Sequence, residues 1–158
     1  MKFLLLLAFV VVAAVDEYDS SNDTLYLADS LSPMFNISVT ESLECIKEWD
    51  ITKANLKYMV NSIDLEDNEI TDKESLRKAT CAMVCCAQKA AYMIGPEIQM
   101  EKILDVYLAD IPMEVSAAIR ESTMFCKGQL ATHNDECLDS YVFFKCLIRT
   151  CRDKFRRL

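Results

Sequence analysis

The chain has 158 residues, one domain's worth, and carries 25 acidic against 17 basic residues for a formal charge of −8. That balance excludes the usual nucleic-acid binder, which is basic, and suits a soluble, well-dispersed protein. Glycine occurs only twice (Gly95, Gly128) and proline three times (Pro33, Pro96, Pro112). A typical chain is about 7% glycine, so a sheet protein rich in tight turns is excluded and an all-α fold is expected.

The first element is a secretory signal peptide over 1–14. Lys2 supplies the positive start, Phe3 to Val12 is an unbroken apolar run, and Val12-Ala13-Ala14 offers a small-residue cleavage site. The run is too short for a transmembrane helix, which needs about 20 apolar residues. Cleavage leaves about 144 residues (158 less 14), and loss of Lys2 moves the charge from −8 to −9. Residues 15–36 are acidic and rich in Ser, Asn and Asp, and read as a mobile N-terminal extension. The folded domain is expected over 37–158. Two sequons, Asn22-Asp23-Thr24 and Asn36-Ile37-Ser38, make Asn22 and Asn36 candidates for N-glycosylation.

Helical signals follow. Thr40 and Ser42 can cap a helix through Trp49, with Leu43, Ile46 and Trp49 on one side. Leu56, Met59, Val60 and Ile63 repeat at helical spacing. Asp64 to Thr71 is an acidic loop, and Asp72 caps a long helix that Gly95-Pro96 ends near Ile94. Glu97 to Ala109 is amphipathic, and Pro112 marks the restart of a helix over Met113 to Cys126, closed by Gly128. The last helix runs from about Asp135 to Arg152. Its middle, Leu138 to Ile148, is apolar on every face save Lys145, which predicts a helix buried all round. The total is about six helices.

The eight cysteines follow the apolar leader and fit an oxidising compartment. Thirty-five residues separate Cys45 from Cys81, three separate Cys81 from Cys85, forty lie before Cys126, ten before Cys137 and eight before Cys146. Cys81 and Cys85 lie at i and i+4, on one helix face, placed to grip two other elements. Cys137 and Cys146 lie about 13 Å apart along a helix and also need partners elsewhere. Spacing leaves fifteen pairings of six cysteines open.

This spacing resembles that of the insect odorant-binding (pheromone-binding) protein family, over about Thr40 to Arg152. The resemblance implies a compact bundle of about six helices around an apolar cavity, stapled by three or four disulfides. It implies the pairs Cys45–Cys85, Cys81–Cys137 and Cys126–Cys146, each worth roughly 2–4 kcal/mol. Cys86 and Cys151 depart from the pattern. With Cys81 joined to Cys137, Cys86 lies about 7.5 Å further along its helix and Cys151 about 21 Å along the last one. A fourth bridge therefore needs a bend or early end after Cys146. That bridge is the preferred reading, because free thiols are a liability outside the cell. Free thiols and a bridged homodimer are the alternatives.

The resemblance also implies carriage of odorants, pheromones or related lipids. Met59, Met83, Met93, Leu104, Tyr107, Met113, Met124, Phe125, Tyr141, Phe144 and Leu147 are candidate lining residues. Methionine is polarisable and adaptable, which suits varied apolar ligands. Any one of them equally suits plain core packing. No cofactor and no metal is called for. The family's acid-driven release points to histidine as the sensor, and only His133 exists, in the polar loop Thr132-His133-Asn134-Asp135. A solvated loop histidine is the simpler reading, with the Asp64–Asp72 acids as other sensors. The basic tail (Arg149, Arg152, Lys154, Arg156, Arg157) could meet an anionic membrane surface or the acidic extension, although a solvated helix end also suits the helix dipole.

An enzyme lacks parts. There is no G-x-S-x-G and no glycine-rich phosphate loop. Cys85-Cys86 resembles the C-C-x-x-H-D of secreted phospholipase A2, but Lys89 and Ala90 stand where His and Asp belong. Zinc on Cys81, Cys85 and Cys86 is disfavoured by oxidising conditions. The competing class is a secreted interaction protein (a venom, salivary or seminal factor) acting on a receptor or scavenging mediators, marked by a large exposed apolar patch.

Overall fold

The computed structural model describes residues 23–109, 111–129 and 135–156. Seven α-helices lie among them: α1 (Asp23–Phe35), α2 (Val39–Glu48), α3 (Lys53–Asn61), α4 (Lys73–Lys89), α5 (Met100–Leu108), α6 (Met113–Gly128) and α7 (Glu136–Phe155). Two 3-10 turns, Ser62–Asp64 and Asp67–Glu69, bridge α3 to α4. A two-stranded hairpin, β1 (Met93–Ile94) and β2 (Glu97–Ile98), separates α4 from α5.

Helix α1 corrects the reading of 15–36 as a mobile extension. Leu27, Leu31 and Phe35, spaced i, i+4, i+8, are buried with Ala28, and the helix packs on α2 and α4. Thr24 and Asp29 are exposed while Ser32 is buried, and the acidic and Ser-rich composition around the apolar positions is what disguised the helix. Pro33 sits inside the helix. The Asp29 carbonyl that it leaves without a backbone donor accepts from Ser32 Oγ at 3.4 Å.

The helix starts follow from local chemistry. Ser38, not Thr40 or Ser42, caps α2: Glu41 N donates to Ser38 Oγ (3.2 Å) and Ser38 N donates to Glu41 Oε2 (2.8 Å). Thr52 and Asn55 form the same reciprocal box at α3. Asp72 accepts from Ser75 N at 2.9 Å and opens α4, and Asp135 opens α7.

Three helices end on left-handed residues that are not glycine: Asn36 (φ 53°), Asp50 (φ 47°) and Ala91 (φ 54°). At each, the next N–H reaches back five residues to a carbonyl: Ile37 to Ser32, Ile51 to Ile46, Tyr92 to Ala87. This is how a chain with two glycines stops its helices. It also moves the end of α4 from Ile94 back to Lys89, because Ala91 turns the chain so that Tyr92 and Met93 bury. Gly95 (φ 56°) then turns the hairpin rather than the helix.

Helix α4, not α7, is the element buried on most faces. Every residue from Ala79 to Val84 is buried, as are Leu76, Cys86 and Ala87, and α1, α2, α3 and α7 pack around it. Its alanines and cysteines let these neighbours approach closely. Helix α7 is central too, in contact with α4, α6 and the first 3-10 turn. Yet Leu138 (44% exposed) and Phe144 (40%) face outward while Lys145 is buried.

Candidate functional site

Three disulfides hold the helices in a chain of cross-links: Cys45–Cys85 ties α2 to α4, Cys81–Cys137 ties α4 to α7, and Cys126–Cys146 ties α6 to α7. These are the pairs the resemblance implies. Cys86 and Cys151 are free and buried, contrary to the preferred fourth bridge. The reason is geometric. Helix α7 runs without interruption past Cys151 to Phe155, so the bend that a fourth bridge needs is absent. Cys86 lies in the α4 cluster and Cys151 in a separate one with Leu104, Leu108 and Ile119. With exposures of 0% and 1%, neither sulfur can reach a second chain. Burial pushes the Cys86 thiol up to about 11 and raises that of Cys151 as well.

The largest apolar cluster lies between α1, α2, α3, α4 and the hairpin. It brings together four of the proposed lining residues: Met83 and Met93 are buried in it, and Met59 and Tyr107 pack against it. Tyr92 and Met34 belong to the same cluster. The Tyr92 and Tyr107 rings lie 5.9 Å apart at 60°, and Tyr107 OH donates to the Met34 carbonyl. Burial holds the Tyr107 phenol well above its usual range, so it stays a neutral donor. Lys102 Nζ donates to the Ala90 carbonyl at 2.9 Å and stands 5.6 Å from the Tyr92 ring centre. The region is thus methionine-rich and apolar, with phenol groups at one side.

Leu104 and Leu147 belong instead to the cluster around Cys151. Tyr141 is buried, and its OH donates to Ser62 O and Oγ at 2.9 Å each. Met113 (84% exposed), Met124 (63%), Phe125 (56%) and Phe144 lie on the surface and line no interior. The helical period that selected them on α6 belongs to its outer face, whereas Ile119, Ser122, Thr123 and Cys126 point inward. Sequence reasoning missed α1 and Tyr92. The α1 signal was present as Leu27, Leu31 and Phe35 at helical spacing, and Tyr92 was hidden by the expectation that α4 continued through it.

The basic side chains of α7 are engaged. Lys145 Nζ donates to Asp67 Oδ1 at 2.8 Å. Arg149 donates to the Ile63 carbonyl (2.8 Å) and the Leu65 carbonyl (3.0 Å) and pairs with Glu66, while Arg152 pairs with Asp64. Lys154 pairs with Glu121 at 2.7 Å. Lys145, Arg149 and Arg152 strap the acidic segment 62–69 onto α7 and Lys154 ties α7 to α6, whereas a contact with residues 15–22 falls outside the described residues. Hydrogen bonds from Arg152 and Lys145 hold Asp64 and Asp67 below the usual carboxylate range. Residues 1–22, which include the expected signal peptide and Asn22, lie outside the described residues, as do His133 and Arg157. Among the described residues, no helix is long and apolar enough to cross a membrane.

The chain matches no protein-family model, no curated protein and no solved structure.

Proposed function

We propose that this chain is a secreted carrier that binds a small hydrophobic molecule in the interior of its disulfide-braced helical shell, as odorant-binding proteins do. One observation carries the reading. Cys45–Cys85 and Cys81–Cys137 anchor α4 to α2 and α7 beside a cluster that carries methionine and tyrosine side chains, and Cys126–Cys146 extends the bracing from α7 to α6. Cross-links of this kind keep a shell in shape when its apolar interior is not closed by tight packing alone. Met59, Met83 and Met93 supply an adaptable wall, and Tyr107 lies beside them as a neutral polar group, the mix that small-molecule sites use. Titration of the oxidised protein with an N-phenylnaphthylamine dye tests it. The expected result is saturable binding near one dye per chain, displaced by alcohols, esters or fatty acids. Absence of saturable binding in a folded sample contradicts it.

A second reading, a secreted interaction protein acting on a receptor or on mediators, is favoured by the exposed apolar side chains of α6. Met113, Met124 and Phe125 all stand more than half exposed on one helix. It predicts that replacing Met124 and Phe125 by serine abolishes the biological effect while dye binding is unchanged.

A further inference from the structure

The corner between α1 and α2 is built from the tripeptide Asn36-Ile37-Ser38. Asn36 is exposed and left-handed (φ 53°), one residue past the end of α1. Ile37 N donates to the Ser32 carbonyl at 3.1 Å, which fixes the turn through the backbone alone. Among the described residues, no hydrogen bond uses the Asn36 side-chain amide. Pro33, Ser38 and Thr40 around it are also exposed. Asn36 therefore stands at an exposed corner among exposed neighbours.

Both polar residues of the tripeptide have structural work. Asparagine is among the few residues that accept the left-handed position, and Ser38 caps α2. Those roles account for the residues one at a time. Together they also make an acceptor for N-linked glycosylation, because the middle residue is not proline.

We infer that Asn36 carries an N-linked glycan, a conclusion that rests on the secretory reading of the chain. The donor is a lipid-pyrophosphate-linked oligosaccharide of the secretory pathway. The Asn36 amide nitrogen forms the bond to the sugar C1 and gives up a proton, the C1–O bond to pyrophosphate breaks, and the lipid pyrophosphate leaves. Transfer takes place on the extended chain, before Ser38 is tied into its cap. Folding then places the sugar outside, where it meets no packed surface.

The test is translation of the full chain in the presence of microsomes, read by protease protection and by a gel shift that peptide N-glycosidase reverses. The prediction is a protected chain with a reversible shift, of which one step is lost in Asn36→Asp and in Ser38→Ala but kept in Ser38→Thr. Asn36→Asp retains a residue that tolerates the left-handed turn, so loss of the step there reports the acceptor rather than the fold. A protected chain without an Asn36-dependent step overturns this inference and leaves the secretory reading standing. A chain that stays protease-accessible overturns both.

Discussion

Cys86 and Cys151 show how burial decides chemistry at a single residue. Thiolate is the reactive form, and a thiol pushed up to about 11 is almost wholly protonated at neutral pH. Both sulfurs are also shut away from reagents. The native protein should therefore give no thiol reaction with a disulfide reagent at pH 8, and the protein unfolded in guanidinium, without reductant, should give two per chain. No thiols after unfolding would mean a bridge involving both. Ala91 makes a second case. An alanine held at φ 54° costs about 1–2 kcal/mol, and glycine's greater freedom in the unfolded chain returns part of that, ~0.5–1 kcal/mol. Ala91→Gly should stabilise by roughly 0.5–1 kcal/mol, seen as a higher urea midpoint. Thr123 is wholly buried, and its Oγ1 has no hydrogen-bond partner. Thr123→Val keeps the shape and removes the stranded hydroxyl, which should add about 1 kcal/mol.

The strap over α7 is where charge acts at the level of elements. Tyr141, Lys145, Arg149 and Arg152 lie along one side of α7, and all bind segment 62–69. Only Ile63 and Ser62 of that segment's 3-10 turns are buried, so polar contacts hold most of it. Asp64 and Asp67 have lowered folded values, so as pH falls the unfolded chain takes up protons first. Their stabilising effect is complete above the ordinary aspartate value of about 3.9 and is lost as pH falls through the lowered folded values. Protection of the 62–69 amides, taken relative to the unstructured exchange rate at each pH, should fall below about pH 4, and Asp64→Asn with Asp67→Asn should remove that acid dependence. Loss of protection already at pH 6 would point to a different group.

The elements also show what can be read from a sequence. Helix periods, the Asp72 cap and the start of the last helix near Asp135 are local, and they were legible, whereas the cap of α2 lies at Ser38 rather than at Thr40 or Ser42. The end of α4 was not, because it depends on Ala91 adopting a conformation that alanine rarely takes. Nor was α1, because its apolar positions were read together with the acidic, Ser- and Asn-containing residues that precede it. On α7 the reading of faces reversed: Lys145 lies inside against Asp67 and the Tyr141 ring, while Phe144 lies outside. A hydropathy pattern does not carry the position of the acidic segment that receives Lys145.

For the whole molecule, the all-α class was legible from the scarcity of glycine, and the three observed disulfides coincide with those the resemblance implies. The site was legible only in part. Met59, Met83, Met93 and Tyr107 meet in one cluster, whereas Met113, Met124, Phe125 and Phe144 do not, because one helical period serves inner and outer faces alike. The most direct test of carriage in the interior compares two variants in the dye titration. Met59→Gln changes a half-buried wall of the cluster at similar length, and Phe125→Ser changes only the surface. With both folds verified by circular dichroism, interior carriage predicts that Met59→Gln weakens binding about tenfold, ~1.4 kcal/mol, while Phe125→Ser leaves it unchanged. Loss of binding in Phe125→Ser with no change in Met59→Gln would contradict it and place the ligand on the outer face of α6.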